Sequence, residues 1–301
     1  MSETLDLVIV GAGPSGLAAA IEAAKQRLNY VVLEKGCVTN SIFHFPAHMV
    51  FFTTPELLEI GGLPLVCERE KPTRNEALKY YRRAVGAFDL AVRQYEGVDE
   101  IRQIGERRFE VRAAGNVYTT RNVALAIGYY DTPNKLGVPG EDLPHVSHYY
   151  TEPHSFYNRD VVVIGGKNSA AEAALDLFRA GARVSLVHRR AELGSTLKYW
   201  VRPDIENRLK AGEITPYLNS TVQEITPTVV RVVQNGTERE IRADQVFALT
   251  GYFTTTRFFE QLGVEVNPET LRPRLDPETF ETNVPGVFVA GSAIAGRLNG
   301  E

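Results

Sequence analysis

The sequence predicts an α/β fold with two doubly wound domains, each built on a central parallel sheet. Two observations carry this prediction. A strand, a glycine-rich turn, a helix and a second strand follow one another over residues 5–33, and the same series recurs over residues 160–187. Short extended segments then follow each unit in the same order, which indicates an internal duplication.

Length and composition fit two domains of ordinary size. The chain has 301 residues, of which 44% are hydrophobic and 23% charged, as in folded α/β proteins. Its net charge of −4 gives no indication of a nucleic-acid or anionic-membrane partner. No apolar run approaches the ~20 residues of a membrane span, and residues 1–6 do not read as a secretory leader. We therefore expect a cytoplasmic protein without nucleic-acid or membrane partners.

The first unit opens with an apolar strand and the turn Gly11-Ala12-Gly13-Pro14-Ser15-Gly16. In such a turn the first glycine makes the tight bend, the second lets a pyrophosphate approach the backbone, and the third lets helix and strand pack closely. The start of the helix offers free N–H groups to the phosphates. Glu34 ends the second strand, where a carboxylate accepts hydrogen bonds from ribose hydroxyls and repels a 2′-phosphate. This site suits FAD or NAD; a plain glycine-rich turn is the alternative.

The second unit contains the turn Gly165-Gly166-Lys167-Asn168-Ser169-Ala170. Lys167 replaces the middle glycine and adds a positive charge where pyrophosphate usually meets backbone. The second strand ends in His188-Arg189-Arg190, and guanidinium groups there favour the 2′-phosphate of NADP. A solvated basic turn is the alternative. We predict that NADPH binds Gly165, Gly166, Lys167, Asn168, Ser169, His188, Arg189 and Arg190.

Each unit is predicted to continue into a small antiparallel meander before the chain rejoins the parallel sheet. After the first unit the extended segments are residues 98–104, 108–113 and 117–120, with 122–127 as the returning strand. After the second unit they are residues 222–225, 229–234 and 238–241, with 245–249 as the returning strand.

A late segment, Thr282-Asn-Val-Pro-Gly-Val-Phe-Val-Ala-Gly291-Ser292, completes a family pattern. With both turns, it makes nearly the whole chain resemble the thioredoxin-reductase-like branch of the pyridine nucleotide-disulfide oxidoreductases. The resemblance implies two Rossmann-like domains of the three-layer ββα type, with an NADPH domain (129–251) inserted into an FAD domain (1–128 and 252–301). It also implies a homodimer. The residues expected to bind FAD are Gly11, Gly13, Pro14, Ser15, Gly16, Glu34, Lys35, Phe45, Phe52, Gly128, Gly291 and Ser292; Tyr149 is a further candidate.

Within this superfamily the chain is most similar to the bacillithiol disulfide reductases, through segments such as Phe51-Phe-Thr-Thr54, Leu58-Glu-Ile-Gly-Gly62 and Gly165-Gly-Lys-Asn-Ser169. Members of that group are thought to use a cysteine after the proline of the first turn, where this chain has Ser15. Thioredoxin reductases carry Cys-x-x-Cys where this chain has Tyr149 and Glu152. Neither replacement exchanges with a disulfide. The resemblance therefore implies the fold and the cofactors, and any reduction of a disulfide would proceed without a protein dithiol.

No side chain is predicted to be catalytic and no metal is expected. Cys37 and Cys67 are isolated, and a free cysteine usually behaves as a small hydrophobe. Pro46 lies between His44 and His48 and prevents a helical metal pair. Hydride transfer belongs to the cofactors, which the protein positions and shields from water.

We expect an FAD enzyme that passes a hydride from NADPH to the flavin and then to an external acceptor. A low-molecular-weight disulfide, a small redox protein such as ferredoxin or flavodoxin, and a quinone or dioxygen all remain open as acceptors. A different alternative is a non-catalytic nucleotide-binding protein, in which Lys167 and Ser292 mark a decayed enzyme.

Overall fold

The computed structural model describes residues 4–297 and divides them into two compact units. The first unit comprises residues 4–132 and 252–297, and the second comprises residues 133–251. The chain therefore leaves the first unit, forms the second, and returns to the first. Residues 298–301, which the prediction assigns to the first domain, lie outside the described residues.

The first part of the chain forms a sheet with helices on one face. Its elements are β1 (Leu5–Val10), α1 (Pro14–Lys25), β2 (Tyr30–Leu33), α2 (Asn40–Phe43), α3 (Arg74–Ala87), β3 (Val92–Arg93), β4 (Val98–Gly105), β5 (Arg108–Ala113) and β6 (Asn116–Leu125). The sheet order is β3-β2-β1-β6-β5-β4. Strand β1 pairs in parallel with β2 and β6, so the first glycine turn lies at the carboxyl edge of the central strand.

The second unit repeats this plan. Its elements are β7 (Val146–Ser147), β8 (Asp160–Ile164), α4 (Asn168–Arg179), β9 (Arg183–Val187), α5 (Arg202–Ala211), β10 (Thr215–Tyr217), β11 (Ser220–Ile225), β12 (Val229–Gln234), β13 (Thr237–Arg242) and β14 (Gln245–Ala248). The parallel sheet has the order β10-β9-β8-β14-β7, and β11, β12 and β13 form a separate antiparallel sheet. The chain then re-enters the first unit as α6 (Arg257–Leu262) and β15 (Val287–Val289), and β15 pairs in parallel with β6.

Alternation along the central strands explains the layers. Val8 and Val10 of β1 pack in one core with Phe259 of α6, whereas Ile9 packs on the opposite face with Leu17 of α1. Successive side chains of a strand point to opposite faces, so an unbroken apolar run is buried on both. The predicted α/β fold with two layered, doubly wound sheets is confirmed.

One predicted feature of the first meander differs. The segments 117–120 and 122–127 were expected to be separate strands, but residues 116–125 form the single strand β6. Thr120 pairs with Phe109 of β5 on one side and with Leu5 of β1 on the other, so the strand changes partners without a break. The first meander therefore extends the main sheet.

Candidate functional site

The first glycine turn is closely packed at two glycines and open at the third. Gly11 has φ +104°, and a Cβ there would lie 2.5 Å from the carbonyl oxygen of Ala126. A Cβ on Gly16 would lie 1.9 Å from the carbonyl oxygen of Gly11. Gly13, by contrast, has no atom within 4 Å of its Cβ position. The strand and helix thus require the outer glycines, and the middle glycine leaves free space.

That free space opens on a cavity of about 490 Å³ in the first unit, a volume in the range of small-molecule sites. Helix α1 begins beside it, with Pro14 as its first residue and no side chain capping its N-terminus, so its first N–H groups are available to an anion. Nine of the predicted residues line the cavity: Gly11, Gly13, Pro14, Ser15, Glu34, Lys35, Phe45, Gly128 and Ser292.

Glu34 is held in place by the backbone of this turn. Its two carboxylate oxygens accept hydrogen bonds from Ala12 N at 2.7 Å and from Gly36 N at 2.9 Å. The residue is 6% exposed, and burial raises the pKa of its carboxyl, although these two N–H donors oppose the change. Each oxygen retains a further lone pair on the wall of the cavity. Its neighbour Lys35 pairs with Asp131 at 2.8 Å.

Two further predicted residues of the first unit, Gly291 and Phe52, are not part of the cavity lining. Gly291, with φ +71°, packs against Ser15: a Cβ there would lie 2.2 Å from the Ser15 hydroxyl oxygen. The aromatic side chain that lines the cavity beside Phe45 is Phe51. Phe52 lies outside this lining and is 38% exposed. Phe51 is therefore an additional candidate for contact with the flavin, and Phe52 stays a prediction.

An aromatic group beside the cavity was not foreseen. Tyr129 and Tyr130 line the cavity, and the Tyr130 ring lies 4.9 Å from Phe45 and 4.6 Å from Tyr252 between ring centroids. The Tyr130 hydroxyl donates to the carbonyl of His44 at 3.2 Å. Their position directly after Gly128 could have indicated that these tyrosines face a ligand, because ligands of parallel sheets bind at the carboxyl ends of strands.

The second glycine turn is closely packed at both of its glycines. Gly165 has φ +154°, and a Cβ there would lie 2.5 Å from the carbonyl oxygen of Leu249. A Cβ on Gly166 would lie 2.3 Å from the His188 ring. Helix α4 begins at Asn168 with Lys167 before it and no side-chain cap. The turn therefore presents the free start of a 12-residue helix together with a lysine.

The basic residues that follow β9 differ in environment. Burial, and then the charges of Arg189 and Arg190, lower the pKa of His188, so its ring is neutral near pH 7. Its Nε2 atom is buried and has no hydrogen-bond partner within residues 4–297. Arg189 and Arg190 are exposed, and neither pairs with a carboxylate of the described residues. Two uncompensated guanidinium groups therefore stand where a 2′-phosphate was predicted.

Glu172 has an environment that the sequence did not reveal. It lies in the first turns of α4, and burial raises the pKa of its carboxyl to about 7, while the positive charge of Lys198 opposes the change. Periodicity alone does not show that this glutamate is desolvated.

The two cysteines are not poised as nucleophiles. The Cys37 thiol contacts the Asn40 side-chain oxygen at 3.8 Å, and the Cys67 thiol donates to the carbonyl of Arg69 at 2.9 Å. Desolvation is the main cause that raises the pKa of both thiols, which lowers the thiolate fraction at neutral pH. Within residues 4–297, no three His, Cys, Asp or Glu side chains are grouped to hold a metal ion, and no helix is long and apolar enough to span a bilayer.

Both turns fit a dinucleotide. In the first, the open Gly13 and the buried Glu34 form a cradle with the uncapped start of α1. In the second, Lys167, Arg189 and Arg190 lie at the carboxyl ends of parallel strands. Tyr149, the further candidate for the flavin, belongs to this second unit, whereas the cavity belongs to the first.

Comparison with known proteins shows which family the chain belongs to. A family model described as pyridine nucleotide-disulphide oxidoreductase matches residues 8–291. Bacilliredoxin reductase Bdr of Bacillus subtilis is 43% identical over 293 residues, covering 96% of this chain and 90% of that protein. A ferredoxin–NADP reductase of Ignicoccus hospitalis is 27% identical, covering 95% and 89%.

Similar solved structures support the same family. Bacillithiol disulfide reductase Bdr from Bacillus cereus superposes with a TM-score of 0.96 at 39% identity, over 99% of this chain and 94% of that one. A thioredoxin reductase of Lactococcus lactis has a TM-score of 0.77 at 22% identity, over 96% and 90%, and supports the fold alone. The predicted resemblance is confirmed: the chain belongs to the pyridine nucleotide-disulphide oxidoreductase family, as an FAD-binding, NAD(P)H-dependent oxidoreductase.

Proposed function

We propose that this chain uses NADPH to reduce a low-molecular-weight disulfide of the bacillithiol type. The observation that carries the proposal is the 43% identity to a bacilliredoxin reductase across 96% of the chain. One disulfide, one NADPH and one proton would give two thiols and NADP⁺. FAD, when bound, relays the electrons between the nicotinamide and the acceptor.

The first unit would hold FAD. Its adenosine ribose would be bound by Glu34 and its pyrophosphate by the turn and the start of α1. The residues proposed to contact FAD are Gly11, Gly13, Pro14, Ser15, Gly16, Glu34, Lys35, Phe45, Phe52, Gly128, Gly291 and Ser292. Phe51, Tyr129 and Tyr130 line the same cavity and join this set.

The second unit would hold NADPH, with Arg189 and Arg190 binding the 2′-phosphate because they are exposed and unpaired within residues 4–297. Gly165, Gly166, Lys167, Asn168, Ser169 and His188 complete this proposed site. A neutral His188 adds no charge, so discrimination between NADPH and NADH would depend on the two arginines.

Electrons would pass to the disulfide without a protein dithiol. The chain has two cysteines, Cys37 and Cys67, and neither has a lowered pKa. Ser15, at the cavity wall, cannot form a mixed disulfide. The disulfide would therefore have to reach the cavity itself.

We further propose a homodimer that works in the cytoplasm, the compartment that keeps thiols reduced. Light scattering on the purified protein tests the dimer.

A second candidate acceptor is ferredoxin. The identity of 27% to a ferredoxin–NADP reductase over 95% of the chain favours it, and such a reaction needs no redox-active thiol.

An anaerobic titration tests the proposal. The purified yellow protein is titrated with NADPH while the flavin absorbance is followed, and bacillithiol disulfide or oxidised ferredoxin is then added. Bleaching followed by reoxidation with the disulfide supports the proposal, and reoxidation only with ferredoxin supports the second candidate. A flavin that NADPH does not bleach would contradict both and favour the non-catalytic alternative.

A further inference from the structure

A short loop crosses the second glycine turn. The loop, residues 194–198, is called the strap here. At its start, Gly194 N donates to the carbonyl of Gly166 at 2.7 Å, a direct backbone bond onto the turn. The carbonyl of Gly194 accepts from the Arg202 guanidinium at 2.7 Å. The strap is therefore fixed to the turn where a pyrophosphate is expected.

Asn168 fixes the other end of the strap. Its side-chain amide donates to the carbonyl of Thr196 at 3.3 Å, and its side-chain oxygen accepts from Lys198 N at 2.9 Å. Asn168 is the first residue of α4, where asparagine commonly bonds to its own helix. Here both polar atoms of the side chain are used to hold the strap.

Gly194 has little room for a side chain. A Cβ there would lie 3.1 Å from the carbonyl oxygen of Gly166 and 3.3 Å from Cγ of Lys167. The strap thus packs against Lys167, and the charge of its last residue, Lys198, is close enough to Glu172 to oppose the rise that burial causes in the pKa of that carboxyl. Two cations therefore flank the uncapped N-terminus of α4, a combination that attracts phosphate.

We propose that the strap is part of the NADPH site, and that Asn168 is a positioning residue which holds it beside the pyrophosphate. The inference rests on the proposed function, because it assumes that NADPH binds this turn. It changes the role predicted for Asn168: the residue acts through Thr196 and Lys198 rather than by touching the cofactor. The 2′-phosphate, bound by Arg189 and Arg190, would be independent of the strap.

Calorimetric binding to the FAD-loaded protein tests the proposal with two ligands. NADP⁺ carries the pyrophosphate, whereas 2′-AMP carries only the adenosine and the 2′-phosphate. Asn168→Ala should weaken NADP⁺ binding about fivefold or more through two lost hydrogen bonds, and should leave 2′-AMP binding within about twofold. Arg189→Ala should weaken both ligands. Asn207→Ala, the same change at an exposed position of α5, should affect neither.

Gly194→Ala tests the strap from its other end and should also weaken the binding of NADP⁺ but not of 2′-AMP. It keeps the proposal testable if Asn168→Ala folds poorly. Equal affinities for NADP⁺ in wild type and both variants would overturn the strap and leave the proposed function intact. Equal losses for NADP⁺ and 2′-AMP would overturn the positioning role in favour of a general effect on folding. A wild-type protein that binds neither ligand would overturn the proposed function as well.

Discussion

Ser15 and Gly291 are packed so closely that a methyl group on the glycine would lie 2.2 Å from the serine hydroxyl oxygen and 2.7 Å from its Cβ. Ser15 is the second residue of α1, the helix that follows the first glycine turn, and Gly291 lies shortly after β15, a strand near the end of the chain. The contact joins two segments that are distant in sequence at the wall of the cavity.

Gly291→Ala should destabilise the protein and loosen FAD. The left-handed backbone of Gly291 costs an alanine about 1–2 kcal/mol, and the clash with Ser15 should add about 1–3 kcal/mol. Urea unfolding of the FAD-loaded protein, with flavin fluorescence to report release, measures both effects.

Gly263→Ala is the matched control. Gly263 has the same φ of +71° but no atom within 4 Å of its Cβ position, so it should show the backbone cost alone. Adding Ser15→Gly to Gly291→Ala should recover part of the loss. Equal losses at positions 263 and 291 would mean that crowding by Ser15 contributes nothing.

Arg189→Ala and Arg190→Ala together should abolish the preference for NADPH over NADH. Each charge-assisted hydrogen bond to phosphate contributes about 1.5–3 kcal/mol, so the loss of one bond from each arginine should raise KM for NADPH by about 100-fold or more. KM for NADH should change little, because NADH lacks the 2′-phosphate. Steady-state kinetics with ferricyanide as acceptor measures both constants.

Arg239→Ala is the control for that prediction, since this arginine is exposed on β13 of the same unit. A preference for NADPH that survives the loss of both Arg189 and Arg190 would remove these residues from the proposed 2′-phosphate site.

Glu172 should make stability depend on pH. Its pKa is raised from 4.5 to about 7 in the folded protein, so the folded state binds more protons than the unfolded state between these values. The stabilising effect of protonation is therefore present at low pH and is lost as pH rises from about 4.5 to about 7. Relative to Glu172→Gln, the wild type should lose on the order of 2 kcal/mol of unfolding free energy between pH 5 and pH 8.

Chemical unfolding at several pH values checks the sign. Glu238→Gln, a change at an exposed glutamate of the same unit, should follow the wild-type curve. A wild type that gains stability relative to Glu172→Gln as pH rises would show that the carboxylate is stabilised, not desolvated.

The sequence predicted the parts of the site that local patterns define. Gly11 and Gly165 mark the tight turns that are typical of dinucleotide-binding strand–turn–helix units, and Glu34 follows from its distance to the first turn. The place of Phe51 in the cavity lining could not be predicted, because the irregular segment around it has no periodicity. Tyr252 reaches the aromatic group only through tertiary packing. Likewise, the two bonds of Asn168 to the strap depend on a loop 26 or more residues away, which no local pattern indicates.

Disulfide reduction should survive the removal of every thiol from the chain. The double variant Cys37→Ser, Cys67→Ser leaves no group able to form a mixed disulfide, so turnover with bacillithiol disulfide should stay within about threefold of wild type, because the proposed reaction reduces the substrate directly at the flavin side of the cavity. Stopped-flow reoxidation of the NADPH-reduced protein isolates this step from binding of NADPH. The single variants locate any loss: a drop confined to Cys37→Ser or Cys67→Ser would assign a thiol relay to that residue and contradict direct reduction.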